Sequence, residues 1–393
     1  MKCKVTNKLI KPFMSFGQMP IANGFIKQED FSKEFFFNME VGFNEEIFLF
    51  QLNEHPKPEK MFNENYPFFT GSSKYMCKHF SKYAEFVKKY LKTNSKIIEI
   101  GSNYGTFLSN FKDMSKNIVG FEPSKNVAKI AKKNGIPTIN NFFNYENIKN
   151  MKNYIGKTDL ICASNVICHI PDLNDLISSI DLLLSPDGTF VFEEPYLGSM
   201  FKKVSYDQIY DEHIYMFTAH SVLKIFERFN LHLVEAVPQV THGGSMRYVI
   251  KRKKEENNQI KIILKNEKKQ KLNQIESCLI FKKNCEISKK KIIEKIKSIK
   301  KNGKSISGYA ATSKSTTILN YCNIGTKEID YICDTTREKI GKFSPGKHIP
   351  IKDMSYFYKN PTDYVYLFAW NHKLEIFEKE KNFNGKWFSH VEL

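Results

Sequence analysis

The stretch that most restricts the fold of this chain is Lys96-Ile-Ile-Glu-Ile-Gly-Ser-Asn-Tyr-Gly105. A short apolar run carries Glu99 near its end, a turn bracketed by Gly101 and Gly105 follows, and Thr106–Phe111 can open a helix. A second apolar run, Asn117-Ile-Val-Gly-Phe-Glu-Pro123, ends on Glu122 and leads into Ser124. Gly101 lets the backbone turn sharply and lets a ligand come close. A helix after the turn would offer unpaired N–H groups at its start. Glu122 lies about 20 residues beyond the turn, suitably placed for the two hydroxyls of a ribose. A dinucleotide fingerprint counted from Gly101 needs glycine at 103 and 106, where Asn103 and Thr106 stand. An acidic residue before the turn with sparser glycines fits S-adenosylmethionine (SAM) better than a nicotinamide dinucleotide. The competing reading is an ordinary strand–turn–helix.

Residues 96–250 alternate strand and helix, with strands expected at Ile97–Ile100, Ile118–Phe121, Thr138–Ile139, Leu160–Ala163, Phe190–Glu193 and Leu231–Val237. Such alternation predicts a Rossmann-like α/β unit, a parallel sheet covered on both faces. Ligands of open α/β sheets bind beyond the C-terminal strand ends. Those ends are polar here: Glu99-Ile-Gly-Ser, Glu122-Pro123-Ser124, Ser164-Asn165 and Glu193-Glu-Pro. One crevice could collect them.

Residues 305–393 read as a second, Rossmann-like α/β unit. Strands are expected at Ser305–Tyr309, Tyr331–Cys333 and Tyr364–Phe368, leading into Asp334 and Trp370-Asn371-His372. Thr312-Ser-Lys314-Ser315-Thr at a helix start makes an anion site, with Lys314 as a point charge. A capped surface helix is the plainer alternative. The Gly-x-x-x-x-Gly-Lys of a nucleotide triphosphate loop is absent. A diphosphate-bearing substrate is the expected occupant.

Between these units, residues 251–304 hold 19 Lys/Arg against 6 Asp/Glu, a balance of +13 within a total of +18. Leu272, Ile275, Leu279, Ile292, Ile296 and Ile299 recur there at helical spacing, so the excess charge is expected on solvated helix faces rather than on a nucleic-acid surface. The chain's 393 residues then divide into a small N-terminal lobe (1–65), a SAM-binding domain (66–250), a lysine-rich helical connector (251–304) and a substrate domain (305–393). In the first lobe Lys4–Val5, Phe35–Val41 and Ile47–Gln51 read as short strands, and His79–Leu91 after it reads as a helix. Cys3 is the only cysteine before Cys77, which excludes a four-cysteine zinc site. Eight scattered cysteines without Cys-x-x-Cys pairs, no apolar run of about 18 residues, and no signal peptide at Met1 together predict a cytoplasmic protein.

The densest reactive constellation is Glu193-Glu-Pro-Tyr196 followed by Tyr206-Asp-Gln-Ile-Tyr210-Asp-Glu212-His213. His169 and His242 each follow a strand. A histidine near neutral pKa can remove a proton, a tyrosine or second histidine can stabilise an enolate, and a carboxylate can orient an imidazole.

These motifs, with Phe121-Glu-Pro-Ser, Cys168-His-Ile-Pro, His242-Gly-Gly, Ala311-Thr-Ser-Lys-Ser315, Asp334-Thr-Thr, Pro345-Gly-Lys-His348-Ile-Pro350 and Phe368-Ala-Trp-Asn-His372, resemble the SAM-dependent nucleotide-sugar C-methyltransferases acting on dTDP-4-keto-deoxyhexoses. The similarity runs in order from about residue 60 to 385. It implies that His213, Tyr210, Glu212, His169 and Tyr66 line the sugar, with His213 as base. It implies that Glu99, Gly101, Asn103, Gly105, Glu122, Pro123, Ser124, Asn141 and Asn165 hold SAM. It implies that Tyr196, His242, Thr312, Lys314, Ser315, Asp334, His348, Trp370, Asn371 and His372 hold the nucleotide sugar. GDP- and CDP-sugars stay open beside dTDP. Family members carry zinc on two Cys-x-x-Cys pairs; here Cys3 is followed by Thr6, Asn44 and Ile47 at those positions, so no zinc is expected and packing of Phe13, Phe16, Phe35–Phe37 and Phe48 must hold the lobe. Asn141 stands where an adenine-contacting acid is usual. No nucleic-acid or membrane partner is expected, and the chain should be a monomer or weak dimer. The rivals are an O- or N-methyltransferase on the same substrate class, a non-catalytic SAM and nucleotide-sugar binder, and a nicotinamide oxidoreductase.

Overall fold

The computed structural model describes residues 1–62 and 74–393. Its strands are β1 (Pro12–Pro20), β2 (Phe36–Asn44), β3 (Leu49–Leu52), β4 (Ile97–Ile100), β5 (Ile118–Phe121), β6 (Thr138–Ile139), β7 (Thr158–Ser164), β8 (Leu184–Pro195), β9 (Tyr215–Met216), β10 (His232–Gln239), β11 (Ser245–Lys251), β12 (Ile306–Tyr309), β13 (Ile332–Cys333), β14 (Ile351–Lys352), β15 (Tyr364–Leu367) and β16 (Lys386–Phe388). They form three sheets, ordered β1-β2-β3-β9, β10-β11-β8-β7-β4-β5-β6 and β14-β13-β12-β15-β16.

The middle sheet shows why its strands read as continuous apolar runs. Ile98, Ile100, Ile161 and Ala163 pack on one face, and Ile97, Leu160 and Cys162 pack on the other. Both faces are therefore buried, as a sheet covered on two sides requires. It is not wholly parallel: β11 runs antiparallel to both β8 and β10. Arg247 stands in the middle of β11, buried against Glu193 of β8, with its Nε donating to that carboxylate at 2.6 Å. The segment after the Gly101 turn also departs from expectation. It is a 3-10 turn, Leu108–Phe111, and not an α-helix, so it offers no extended helix start to a ligand.

In the last sheet every pairing is parallel. Helix Ser313–Tyr321 follows β12, capped by Thr312, whose hydroxyl accepts the Ser315 N–H while Ser315 Oγ accepts the Thr312 N–H. The connector is two helices, Asn258–Lys269 and Ile275–Lys301. Ile292, Ile296 and Ile299 are buried as the helical spacing predicts; Leu272 is buried in the turn between the helices, and Leu279 is half exposed.

In the first lobe Lys4–Val5 is a turn, and the unforeseen strand β1 pairs with β2. Phe13, Phe16 and Phe37 are buried there, but Phe35 and Phe36 are exposed. The lobe is stitched to the middle of the chain through β9, whose Tyr215 and Met216 pair with Gln51 and Phe50 of β3. Helix Lys74–Lys88 begins and ends earlier than the expected His79–Leu91.

Candidate active site

A cavity of about 1040 Å³ opens where the three sheets meet, lined by all three parts of the chain. At the ends of β4 and β5, Glu99 and Glu122 both face it. Glu122 accepts the Asn103 N–H on one carboxylate oxygen (3.0 Å) and the Ser124 N–H on the other (2.8 Å). Burial raises the pKa of both acids; Glu122 adds to the rise at Glu99, and backbone donors restrain it at Glu122. Gly101 has φ +66, and a Cβ there would stand 2.4 Å from Val166. Ser102, Asn103, Pro123 and Asn165 also line this end. Glu99 Oε2, Ser102 Oγ and Asn165 Oδ1 are buried without hydrogen-bond partners among the described residues, which marks a place built for a polar ligand.

Three expected cofactor residues do not reach the cavity. Gly105 turns the chain at φ +87 against Ile136. Ser124 is buried and contributes its N–H to Glu122. Asn141 bonds Asn147, and the neighbouring Phe142, Phe143 and Asn144 line the cavity instead.

The middle of the cavity is made by Tyr210, Glu212, His213, His169 and His242. His213 Nδ1 meets the Gln208 carbonyl at 2.7 Å, and its Nε2 meets the Tyr210 hydroxyl at 2.7 Å. A carbonyl only accepts, so the proton sits on Nδ1 and the Nε2 lone pair accepts from Tyr210. The imidazole is thus oriented by Gln208, not by the adjacent Glu212, which is held instead by Asn23 at 2.6 Å. Burial, then His169, keeps His213 well below the usual imidazole range, so it is neutral at physiological pH. His169 stacks on it with centroids 5.3 Å apart, and its Nε2 has no partner among the described residues. Burial lowers His169 and His242 to about 3 each. Tyr66 lies outside the described residues.

The third wall comes from the last sheet: Thr312, Ser313, Lys314, Asp334 to Lys339, Asn371 and His372. Lys314 is buried; its Nζ donates to Asn371 Oδ1 (3.0 Å) and lies 4.6 Å from the Trp370 ring centroid. Burial lowers its pKa to about 8. Lys339 Nζ donates to the Ala311 carbonyl (2.7 Å) and is likewise lowered by burial. Among the described residues neither ammonium has a carboxylate partner. Four expected substrate residues serve the framework instead. Tyr196 bonds Glu267, Ser315 closes the helix cap, and His348 pairs with Glu34 while stacking on Phe31. Trp370 donates to Asp207 behind Lys314. Sequence reasoning missed Asn23, Arg337 and Lys339. The last two follow a strand end and its Asp334-Thr-Thr, which is a usable signal; Asn23 carries none.

Three family models tile the chain: "Putative zinc binding domain" over residues 3–62, "Methyltransferase domain" over 73–236 and "C-methyltransferase C-terminal domain" over 240–391. C-methyltransferase NovU of Streptomyces niveus is 29% identical over 377 residues, which cover 94% of this chain and 89% of that protein. These matches support a SAM-dependent C-methyltransferase. Solved structures similar to this methyltransferase include the PH0226 protein of Pyrococcus horikoshii OT3, with 15% identity, TM-score 0.38, and 48% of this chain and 96% of that one covered. Magnesium protoporphyrin IX methyltransferase of Synechocystis PCC 6803 with bound SAM matches at 12% identity, TM-score 0.33, over 45% of this chain and 79% of that one.

SAM fits the residues present, given the polar atoms of Glu99, Ser102 and Asn165 that have no partner among the described residues. Zinc does not fit the first lobe of this methyltransferase. Cys3 and Ile47 are buried in one apolar cluster, Asn44 Nδ2 donates to Thr6 Oγ1 (3.0 Å), and Asn44 Oδ1 accepts the N–H groups of Glu46 and Ile47. One thiol, a hydroxyl, an amide and an alkyl group are no zinc ligand set. Cys168, His169 and His213 bring potential ligand atoms within 4.8 Å of one another, but His213 spends both ring nitrogens on Gln208 and Tyr210. Among the described residues no helix is long and apolar enough to cross a membrane.

Proposed function

We propose that this enzyme methylates a carbon of a nucleotide-linked 4-keto-deoxysugar through an enolate, with the Tyr210–His213 pair as base. One observation carries the substrate class: the ammonium groups of Lys314, buried, and Lys339, half-buried, share a cavity wall with Arg337 and, among the described residues, have no carboxylate partner. Burying an unpaired charge costs several kcal/mol. A diphosphate between these cations would offset that cost and sit at the capped start of helix Ser313–Tyr321.

When bound, SAM supplies an electrophilic methyl group on sulfur, and Glu99, Glu122, Gly101 and Asn165 are the residues that would hold it. The protein must make the nucleophile. A 4-keto group acidifies the neighbouring C–H. The Tyr210 oxygen takes that proton while its own hydroxyl proton passes to His213 Nε2. The C–H electron pair moves toward the carbonyl, leaving an enolate beside an imidazolium. Gln208 keeps Nδ1 protonated throughout, so Nε2 is the receiving atom. The enolate charge offsets the burial that disfavours the imidazolium. His169 faces the same space and can donate from its unpartnered Nε2 to the enolate oxygen. A positioned base of this kind contributes about 10²–10⁴-fold.

The test uses dTDP-4-keto-6-deoxyglucose. In D₂O without SAM, deuterium should enter the carbon next to the ketone, and His213→Ala should abolish the exchange. With SAM, carbon NMR should show a new C–CH₃. An O–CH₃ or N–CH₃ product, or no exchange in the wild type, overturns the reading. A thermal-shift screen of dTDP, GDP and CDP with S-adenosylhomocysteine selects the nucleotide, because tighter ligands raise apparent stability more.

A further inference from the structure

The first lobe touches the reaction segment through the turn at Ala22–Asn23. The Ala22 N–H donates to Asp211 Oδ1 (3.0 Å), and Asn23 Nδ2 donates to Glu212 Oε1 (2.6 Å). The Ala22 carbonyl accepts from Thr316 Oγ1 (2.8 Å), on the helix that carries Lys314. One turn therefore meets both the reaction segment and the cationic wall. Asp211 and Glu212 are consecutive and buried. Two such carboxylates repel each other and need donors, and this turn supplies one to each. Asn23 is also part of the cavity lining, on the same wall as Glu212.

We infer that Asn23 is a positioning residue for methyl transfer: from a separate lobe it fixes the direction in which the Glu212 carboxylate meets a hydroxyl of the sugar. The inference rests on the nucleotide-sugar reading above. It gives the lobe a task that needs no metal. The side chain must be a donor. An aspartate at this position would turn an acceptor toward Glu212, so a change that barely alters shape reverses the interaction.

The experiment compares Asn23→Ala, Asn23→Asp and Asn23→Ser with the wild type by calorimetry and turnover, each variant first checked for a wild-type melting curve. The probes are dTDP, dTDP-glucose and S-adenosylhomocysteine for binding, and dTDP-4-keto-6-deoxyglucose with SAM for turnover. The extra affinity that the sugar adds over dTDP alone should fall about tenfold or more in Asn23→Ala, and further in Asn23→Asp. Asn23→Ser keeps a donor and should recover part of it. Affinity for dTDP and S-adenosylhomocysteine should stay within about twofold, while kcat falls about 10- to 100-fold. An Asn23→Ala enzyme with wild-type sugar increment and kcat overturns the inference alone. A variant that loses all ligands equally overturns it too, because that marks a structural role. Failure of the wild type to bind dTDP or dTDP-glucose sinks the substrate reading and this inference with it.

Discussion

Replacing Lys314 with methionine should make the enzyme more stable and worse at holding its substrate. The Lys314 ammonium is buried, and its pKa falls from 10.5 to about 8, chiefly through desolvation, with Asp207 opposing the drop and Lys203 adding to it. At pH 7 the group is charged in both folded and unfolded states. The folded state then carries the whole penalty, about 3 kcal/mol at 1.36 kcal/mol per unit. Between pH 8 and 10.5 the unfolded chain binds the proton and the folded one releases it. Wild-type stability therefore gains with rising pH across that window, and the penalty is gone above it. Methionine removes the penalty but also the bond to Asn371 and the contact with Trp370, about 1 kcal/mol each. The net gain at pH 7 is roughly 1 kcal/mol, a small upward shift in melting temperature. That advantage should vanish, and reverse, as pH approaches 10.5. Binding of dTDP should weaken about 10- to 100-fold, since a charge-assisted bond is lost. Differential scanning calorimetry at several pH values and titration calorimetry with dTDP give both readings. A variant that melts well below the wild type at pH 7, or binds dTDP as tightly, refutes the idea of a strained cation awaiting an anion.

Tyr210→Phe removes the hydroxyl that donates to His213 Nε2; deuterium wash-in should drop at least about 100-fold with S-adenosylhomocysteine affinity unchanged, and wild-type exchange would rule Tyr210 out of the proton path. Glu122→Gln leaves one oxygen to serve the two backbone donors of Asn103 and Ser124, so S-adenosylhomocysteine should bind about tenfold or more weakly by calorimetry; equal affinity would remove Glu122 from the cofactor end. Metal analysis of the purified protein should find well under one zinc per chain, and EDTA should leave the melting curve unchanged; a stoichiometric ion whose removal unfolds the first lobe would contradict the Thr6–Asn44 bond as its substitute.

Strands buried on both faces were legible because they are uninterrupted apolar runs; β4 and β5 appear with the bounds the sequence predicts. β11 was hidden by Arg247, whose charge suggests a surface until Glu193 on the neighbouring strand is seen to meet it. β14 and β16, with two and three residues, were not anticipated. The helix expected after Gly101 became a 3-10 turn, since local sequence does not record how Phe107 and Phe111 pack against helix Lys74–Lys88. In the cavity, the residues at strand ends were readable by position: Glu99, Glu122, Asn165 and Asp334. Tyr196 and His348 lie outside the cavity lining because their partners come from distant segments, Glu267 and Glu34, whereas Ser315 is taken up locally by the Thr312 cap. Asn23 was unreadable for the converse reason, because only the docked lobe brings it to Glu212.

The segment bearing the proposed base is fastened to the last sheet's helix and not merely near it. Thr317 Oγ1 donates to the Ile209 carbonyl (2.9 Å), Trp370 donates to Asp207 (2.6 Å), and the Tyr206 ring packs edge-on against Tyr321. Engineers who graft a foreign C-terminal half to change which substrate is accepted would also loosen the scaffold of Tyr210 and His213. Chimeras joined near residue 240 should therefore lose rate as well as selectivity unless residues 206–213 travel with the graft.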